Sequence, residues 1–369
     1  MKTVDLIVGA RPNFVKISAL IKAYESNQVF GRNFRFRVVH TGQHYDHTMS
    51  GGFFEQLGLG VPDINFEVGS GTHAEQTAKI MMQYETLLKQ KCADICVVVG
   101  DVNSTLACAL VAKKFNIILA HVEAGIRSND RSMPEEINRL ATDAITDLFF
   151  TTTEDAGDRL RQGGVSAEKI FFVGNTMIDT LINNEMNFVK PNFVDVGDLS
   201  RSDFILCTLH RPSNVDHGEK LIKHVQHISN ESRSLPVIFP AHPRTVSRLN
   251  EIAKLPANIH TIVPQSYFNF MWLLRNCSVV ITDSGGVTEE ATYFGVPCIT
   301  LRDTTERPET VTQGTNVLVG DNMELLREYM FKALKGEWHS HTVPERWDGS
   351  SGQRIIKVLN DVCSSKITY

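Results

Sequence analysis

The chain of 369 residues is poor in cysteine, with seven, an odd number, and no C-x-x-C pair among them. Cys92, Cys96, Cys108, Cys207, Cys277, Cys298 and Cys363 lie mostly in apolar runs and read as reduced core thiols of a cytoplasmic protein. No apolar run approaches the roughly 18 residues that a membrane span needs. The opening "MKTVDLIVGARP" is too short and too interrupted by Asp5 for a signal segment. There is no excess of positive charge: 37 Lys and Arg against 42 Asp and Glu give a net charge of −5. Nucleic acid is therefore not an expected partner, although a local basic cleft for a small anion remains compatible with that balance. Low-complexity segments and solenoid-length repeats are also missing. The first strand is not followed by G-x-G-x-x-G, so a resident dinucleotide has no support.

What is present is the pattern of a large α/β protein. At this length two domains are the natural expectation, and 42% hydrophobic with 21% charged residues is an ordinary globular composition. Short apolar runs alternate with helical periodicity: "VDLIVG", "FRVVHTG", "ICVVVG", "IILAHVE", "LFFTTT" and "IFFVG", then "FILCTL", "VIFPAH", "HTIVP", "SVVITD" and "PCITL". Near-continuous apolar strands separated by amphipathic helices predict parallel sheets covered on both faces. The polar stretch around residues 183–203 separates the two sets. The fold class expected is α/β, with two doubly wound Rossmann-like domains facing a central cleft. Ligands in such sheets bind beyond the carboxyl ends of the strands, so residues just after strands carry the functional information.

After the first strand, "GARPNFVK" places Pro12 in the first turn of a helix, with Arg11 and Lys16 close to its positive end. Two cations there suit an anion or a developing negative charge. "VVVGDVNST" puts Asp101 at a strand end, where a turn or cap role competes with a chemical one. In "AHVEAGIRSNDRSMPEEINR", Glu123 ends a strand with little structural excuse. A helix then begins at Met133-Pro134, with Ile137, Leu140, Ala141, Ala144, Ile145 and Leu148 as its expected apolar face. Glu135 sits in the first turn and Arg139 four residues on as a structural partner. His40, His44 and His47 in "HTGQHYDH" fit no standard zinc spacing, and no metal is expected.

In the second half, "TDSGGVTEE" leads from a buried strand into a helix whose first amides and Ser284 suit a phosphate at Ser284, Gly285 and Gly286. Glu290, about one turn later, would repel phosphate but accept hydrogen bonds from ribose hydroxyls. "LRDTTERPE" gathers Arg302, Thr304, Thr305, Glu306 and Arg307, while "TLHRPSN" and "FPAHPR" add His210, Arg211, His242 and Arg244. Together these residues read as a basic, hydroxyl-rich rim suited to a diphosphate.

Taken in order along nearly the whole chain, "GARPNFVK", "HTGQHYD", "GDVNST", "HVEAGIRS", "MPEEINR", "GNTMID", "LHRPSN", "TDSGGVTEE" and "RDTTERPE" resemble the non-hydrolysing UDP-N-acetylglucosamine 2-epimerases. The resemblance implies a GT-B-like fold. It divides the chain into a first domain, 1–172, completed by a C-terminal helix at 355–369, and a UDP-binding domain at 173–354. It also implies a homodimer, without metal or nicotinamide cofactor. Carried over, it makes Asp101, Glu123 and Glu135 catalytic carboxylates, His210 an essential residue, and Arg11 and Lys16 the family's basic pair. Ser284, Gly285, Gly286 and Glu290 become the UDP-binding loop and ribose contact, with Arg139, Arg211, His242, Arg302, Thr305 and Arg307 as further contacts to the UDP-sugar. Asp46 follows "QHY" where some bacterial members carry Gln. The reaction implied is reversible C2 epimerisation of UDP-N-acetylglucosamine by elimination and re-addition of UDP, for surface-polysaccharide precursors. The alternatives are a hydrolysing epimerase and an epimerase of a UDP-diacetamido-uronic acid.

Overall fold

The computed structural model describes residues 1–26, 33–42, 56–192, 199–216, 218–241, 245–247, 249 and 254–365, with the side chains of Arg11, Pro212 and Ser213 excluded. Contacts divide the chain into two compact units, residues 1–183 with 345–369, and residues 184–344. The sequence expectation put the crossings at 172 and 354. The helix Thr176–Asn183, which follows that expected crossing, packs on the helix Arg11–Ser26 and so goes with the first unit.

In the first unit the strands β1 (Lys2–Val8), β2 (Phe34–His40), β3 (Ile64–Asn65), β4 (Ile95–Val99), β5 (Ile118–Val122), β6 (Leu148–Thr151) and β7 (Ile170–Phe172) form one sheet in the order 3-2-1-4-5-6-7. Every pairing is parallel. The order reverses between β1 and β4, which defines the point where loops of a doubly wound sheet diverge and leave a crevice. Ile7, Val39, Cys96, Val98 and Leu119 from the strands pack with Ile80, Tyr84, Cys108 and Val111 from the covering helices. One charge enters this core. Asp5 on β1 is fully buried, but Arg37 bonds it through two nitrogens at 2.6 and 2.7 Å and the Tyr84 hydroxyl adds a bond of 2.9 Å. A carboxylate satisfied in this way is tolerated in an apolar strand.

The C-terminal helix Ser351–Cys363 docks on the helix Arg11–Ser26. Gly352 allows the approach, because a Cβ there would lie 2.5 Å from the Ala19 carbonyl oxygen. Asp179, in the "GNTMID" motif, accepts the Gly352 amide at 2.7 Å and so caps the docked helix from its neighbour.

In the second unit β8 (Ile205–Thr208), β9 (Val237–Pro240), β10 (Ile259–Ile262), β11 (Val279–Thr282), β12 (Cys298–Thr300) and β13 (Asn316–Leu318) are also wholly parallel, in the order 10-9-8-11-12-13. Its switch point lies between β8 and β11. Ile205, Cys207, Phe239, Val279, Ile281 and Ile299 pack with Leu326 and Met330 of the helix Met323–Lys335. Two doubly wound units of the GT-B-like kind are thus the fold class expected from the strand pattern.

Two expectations change. The helix Pro134–Asp143 turns a polar face inward: Glu136, Asn138, Arg139, Thr142 and Asp143 are buried, while Ile137 is 47% exposed. Its inner side chains find partners at the strand ends, which outweighs the apolar periodicity. Of the cysteines, Cys96, Cys108, Cys207, Cys277 and Cys298 are buried, but Cys92 is exposed. Among the described residues no helix is long and apolar enough to cross a membrane.

Candidate functional site

In the first unit the chemistry-bearing residues collect at the carboxyl ends of β1, β4 and β5. Beyond β1, Asn13 closes the turn into the helix: its Oδ1 accepts the Ala10 amide and its Nδ2 donates to the Val99 carbonyl, both at 3.0 Å. One helical turn on, Lys16 Nζ meets Glu123 Oε2 at 2.7 Å, with only 9% and 4% of the two side chains exposed. Glu123 adopts φ 71°, a left-handed conformation that costs a non-glycine residue about 1–2 kcal/mol. Such strain persists only where the surroundings hold it, and here Glu123 N and Ala124 N both donate to the Phe150 carbonyl. Gly100, at φ 69°, must be glycine for a second reason: a Cβ there would stand 3.2 Å from Lys16 Nζ and 3.6 Å from Glu123 Oε2.

Asp101 is held by the helix Pro134–Asp143. Asn138 Nδ2 donates to its backbone carbonyl at 2.8 Å, and Arg139 pairs with its carboxylate. Arg139 also reaches Glu136 at 3.0 Å. Burial alone would raise the Glu136 carboxyl, but the Ser128 amide and hydroxyl together with Arg139 hold it below the ordinary range. Arg139, expected on the UDP-sugar, is therefore engaged by two carboxylates. Glu135 is half-buried, and among the described residues its side chain makes no hydrogen bond or ion pair. Of the residues expected at the site, Lys16, Asp101 and Glu123 come together at these strand ends and Glu135 lies in the first turn of the helix Pro134–Asp143, while Asn13, Glu136 and Asn138 were not among the expected site residues. The Asn at the third position of a strand-to-helix turn was the available signal for Asn13.

In the second unit the organising group is Asp283, wholly buried at the end of β11. It accepts the amides of His210 and Arg211, at 3.2 and 3.0 Å, Asn214 Nδ2 at 3.0 Å, and faces His210 Nδ1 at 2.7 Å. Burial would raise its carboxyl, but these donors, His210 first, hold it below the usual carboxylate range. The His210 ring is thereby anchored through Nδ1, and 61% of its side chain stays exposed. Ser284 precedes the helix Gly285–Phe294 as its N-cap without a side-chain capping bond, so its hydroxyl and the Gly285 and Gly286 amides are open to a ligand.

The basic rim expected around this turn is present but neutralised. Arg302 makes a two-point pair with Glu306 at 2.7 and 2.9 Å, Arg211 approaches the same carboxylate at 3.6 Å, and Arg307 Nε pairs with Glu289 at 2.8 Å. Against the effect of burial, Arg302 and then Arg211 hold the Glu306 carboxyl down to about 2. Thr305 Oγ1 accepts the Arg307 amide at 3.0 Å, which shapes the loop. Glu290 is buried, and burial with the neighbouring Glu289 carboxylate pushes it up to about 8, offset in part by the Tyr267 hydroxyl. Near neutrality it is largely an uncharged acid, which removes the repulsion toward phosphate expected of it. His242, Arg244, His44, Asp46, His47 and the Arg11 side chain lie outside the described residues. Among the described residues no three His, Cys, Asp or Glu side chains gather as ligands for a metal.

Residues 29–360 match the family model described as UDP-N-acetylglucosamine 2-epimerase. The chain belongs to this family of isomerases. It is 44% identical over 371 residues to the UDP-N-acetylglucosamine 2-epimerase of Methanocaldococcus jannaschii, covering 96% of this chain and 98% of that one. A crystal structure of the Methanocaldococcus jannaschii UDP-GlcNAc 2-epimerase, in complex with UDP-GlcNAc and UDP, superposes with a TM-score of 0.85 at 42% identity over 97% of this chain and 99% of that one. A second relative, the UDP-2,3-diacetamido-2,3-dideoxy-D-glucuronate 2-epimerase of Pseudomonas aeruginosa, is 41% identical over 325 residues, 87% of this chain and 89% of that one.

Proposed function

We propose that the chain interconverts UDP-N-acetylglucosamine and UDP-N-acetylmannosamine, with the nucleotide taken by the second unit and the proton transfers made by the first. The observation that carries this reading is the pair of carboxylates at adjoining strand ends, Asp101 held by Arg139 and Glu123 held by buried Lys16, with their turns joined through Gly100 N and the Val122 carbonyl. The complex of the Methanocaldococcus jannaschii relative with UDP-GlcNAc and UDP supports the choice of sugar nucleotide.

The C2–H of this sugar is not acidic in the ground state, because the acetamido group supplies no adjacent carbonyl. Cleavage of the C1–O bond to UDP gives C1 oxocarbenium character and makes that hydrogen labile. A carboxylate takes the proton, the C–H electron pair becomes the C1–C2 double bond, and UDP carries away the C1–O pair. Protonation of the resulting 2-acetamidoglucal at C2 from the opposite face and return of UDP to C1 complete the inversion, with no net oxidation. Two faces require at least two acid/base groups, or one group and a water, each worth on the order of 10²–10⁴ in rate. Ser284, the amides of Gly285 and Gly286, and His210 stabilise the departing diphosphate, and neutral Glu290 meets the ribose. Arg139 serves through Asp101, whose carboxylate it holds.

Incubating the pure protein with UDP-N-acetylglucosamine in D₂O and following it by proton NMR tests the reading. The expected outcome is a UDP-linked manno product with one deuterium at C2. Release of free sugar and UDP, or turnover only of UDP-2,3-diacetamido-2,3-dideoxy-D-glucuronate, would replace it.

A further inference from the structure

His121, the penultimate residue of β5, is completely buried. Its Nδ1 lies 2.7 Å from Asp143 Oδ1 and its Nε2 lies 2.9 Å from the Gly100 carbonyl oxygen. A carbonyl can only accept. Burial would raise the Asp143 carboxyl, but His121 and then Arg127, whose Nη1 stands 2.7 Å from Oδ2, hold it below the ordinary range, so it too accepts. The ring thus stands between these two groups, with one nitrogen at each.

The partners of this ring lie beside the two catalytic candidates. Gly100 immediately precedes Asp101. Asp143 Oδ2 accepts the Gly125 amide at 3.1 Å, two residues after Glu123. The two turns also touch directly, through Gly100 N donating to the Val122 carbonyl at 3.0 Å. Glu123 has left-handed backbone, which a non-glycine residue keeps only when its surroundings determine it. We infer that His121, buried between Asp143 and the Gly100 carbonyl, is a positioning residue that fixes the turns bearing Asp101 and Glu123 relative to each other. It touches no reacting atom. The inference rests on the proposed acid/base roles of those carboxylates, and its effect is geometric, since a displacement of about 1 Å can cost on the order of 10²-fold in rate.

A histidine that merely filled the core would change stability without changing turnover per folded molecule. His121→Gln keeps a donor toward Gly100, and His121→Asn keeps one toward Asp143. Each is expected to lower kcat by about 10- to 100-fold while KM for UDP-N-acetylglucosamine moves by less than about threefold, with circular dichroism showing folded protein. In the same variants, amide hydrogen exchange at Gly100 and Gly125 is expected to be faster than in the wild type, because the two turns lose their common tie. Wild-type kcat in both variants, losses that only track the unfolded fraction, or unchanged exchange at both amides would overturn the inference. If neither variant folds, Asp143→Asn, of the same shape, takes their place with the same outcomes expected. A wild type that does not convert UDP-N-acetylglucosamine refutes the proposed activity instead, and the clamp is then judged by the exchange rates alone.

Discussion

Replacing Glu290 by glutamine isolates one electrostatic feature of the second unit. The carboxyl ionises near 4.5 in an unfolded chain, whereas burial and Glu289 push it up to about 8 in the fold. Between those values the folded protein keeps a proton that the unfolded chain has lost, so unfolding releases a proton and becomes easier as pH rises. The stability contributed is fully present below 4.5 and is lost as pH climbs through about 8. At about 1.4 kcal/mol per pH step, the ceiling is about 5 kcal/mol over that window. Glutamine keeps the shape and the hydrogen-bonding capacity without the charge. Urea denaturation of both proteins from about pH 5 to 9 measures the difference, with the variant expected to gain on the wild type steadily as pH rises. Parallel stability curves would show that Glu290 ionises normally, and the account of a neutral acid beside the Ser284 turn would fail.

The other expectations follow from the same geometry. Lys16→Met leaves Glu123 buried without its cation, which should cost about 3–5 kcal/mol in denaturation and at least 10²-fold in turnover; wild-type values would remove the pair from the site. Gly100→Ala places a methyl 3.2 Å from Lys16 Nζ on a left-handed backbone, so kcat should fall by about tenfold or more with a modest loss of melting temperature. Glu306, held at about 2 by Arg302, contributes stability that is present above its unfolded value and lost as pH falls toward 2. Acid titration of Glu306→Gln should lack that limb; an unchanged acid profile would argue against the pairing. On the same acid side, burial lowers the His224 pKa in opposition to Asp321, and with Lys220, Lys223 and His227 also facing it the wild type should weaken as pH drops below 6.5, a slope that His224→Gln should flatten.

Most of the strands were legible because a parallel strand covered on both faces writes an apolar run of four or more residues into the sequence. β3 and β13, with two and three residues, leave no such run and escaped notice. Asp101 and Glu123 were legible by position, each the charge that follows a strand. The helix Pro134–Asp143 was misread in orientation: periodicity describes a face but not what that face meets, and its polar side met Asp101, Ser128 and His121. The cations Arg302, Arg307 and Arg211 were legible as a group, while their pairing with Glu306 and Glu289 was not, since carboxylates on a nearby loop or helix carry no mark of which charge they face.

By itself the sequence determined the alternation of strands and helices, and through it the strand ends where chemistry is placed, because burial of apolar runs and the tightness of glycine turns are local consequences of residue type. The tertiary structure alone decided which charges are spent on one another. Ion pairing depends on distances of a few ångströms between segments far apart in the chain, and it is this that joins Glu123 to Lys16 and Asp101 to Arg139.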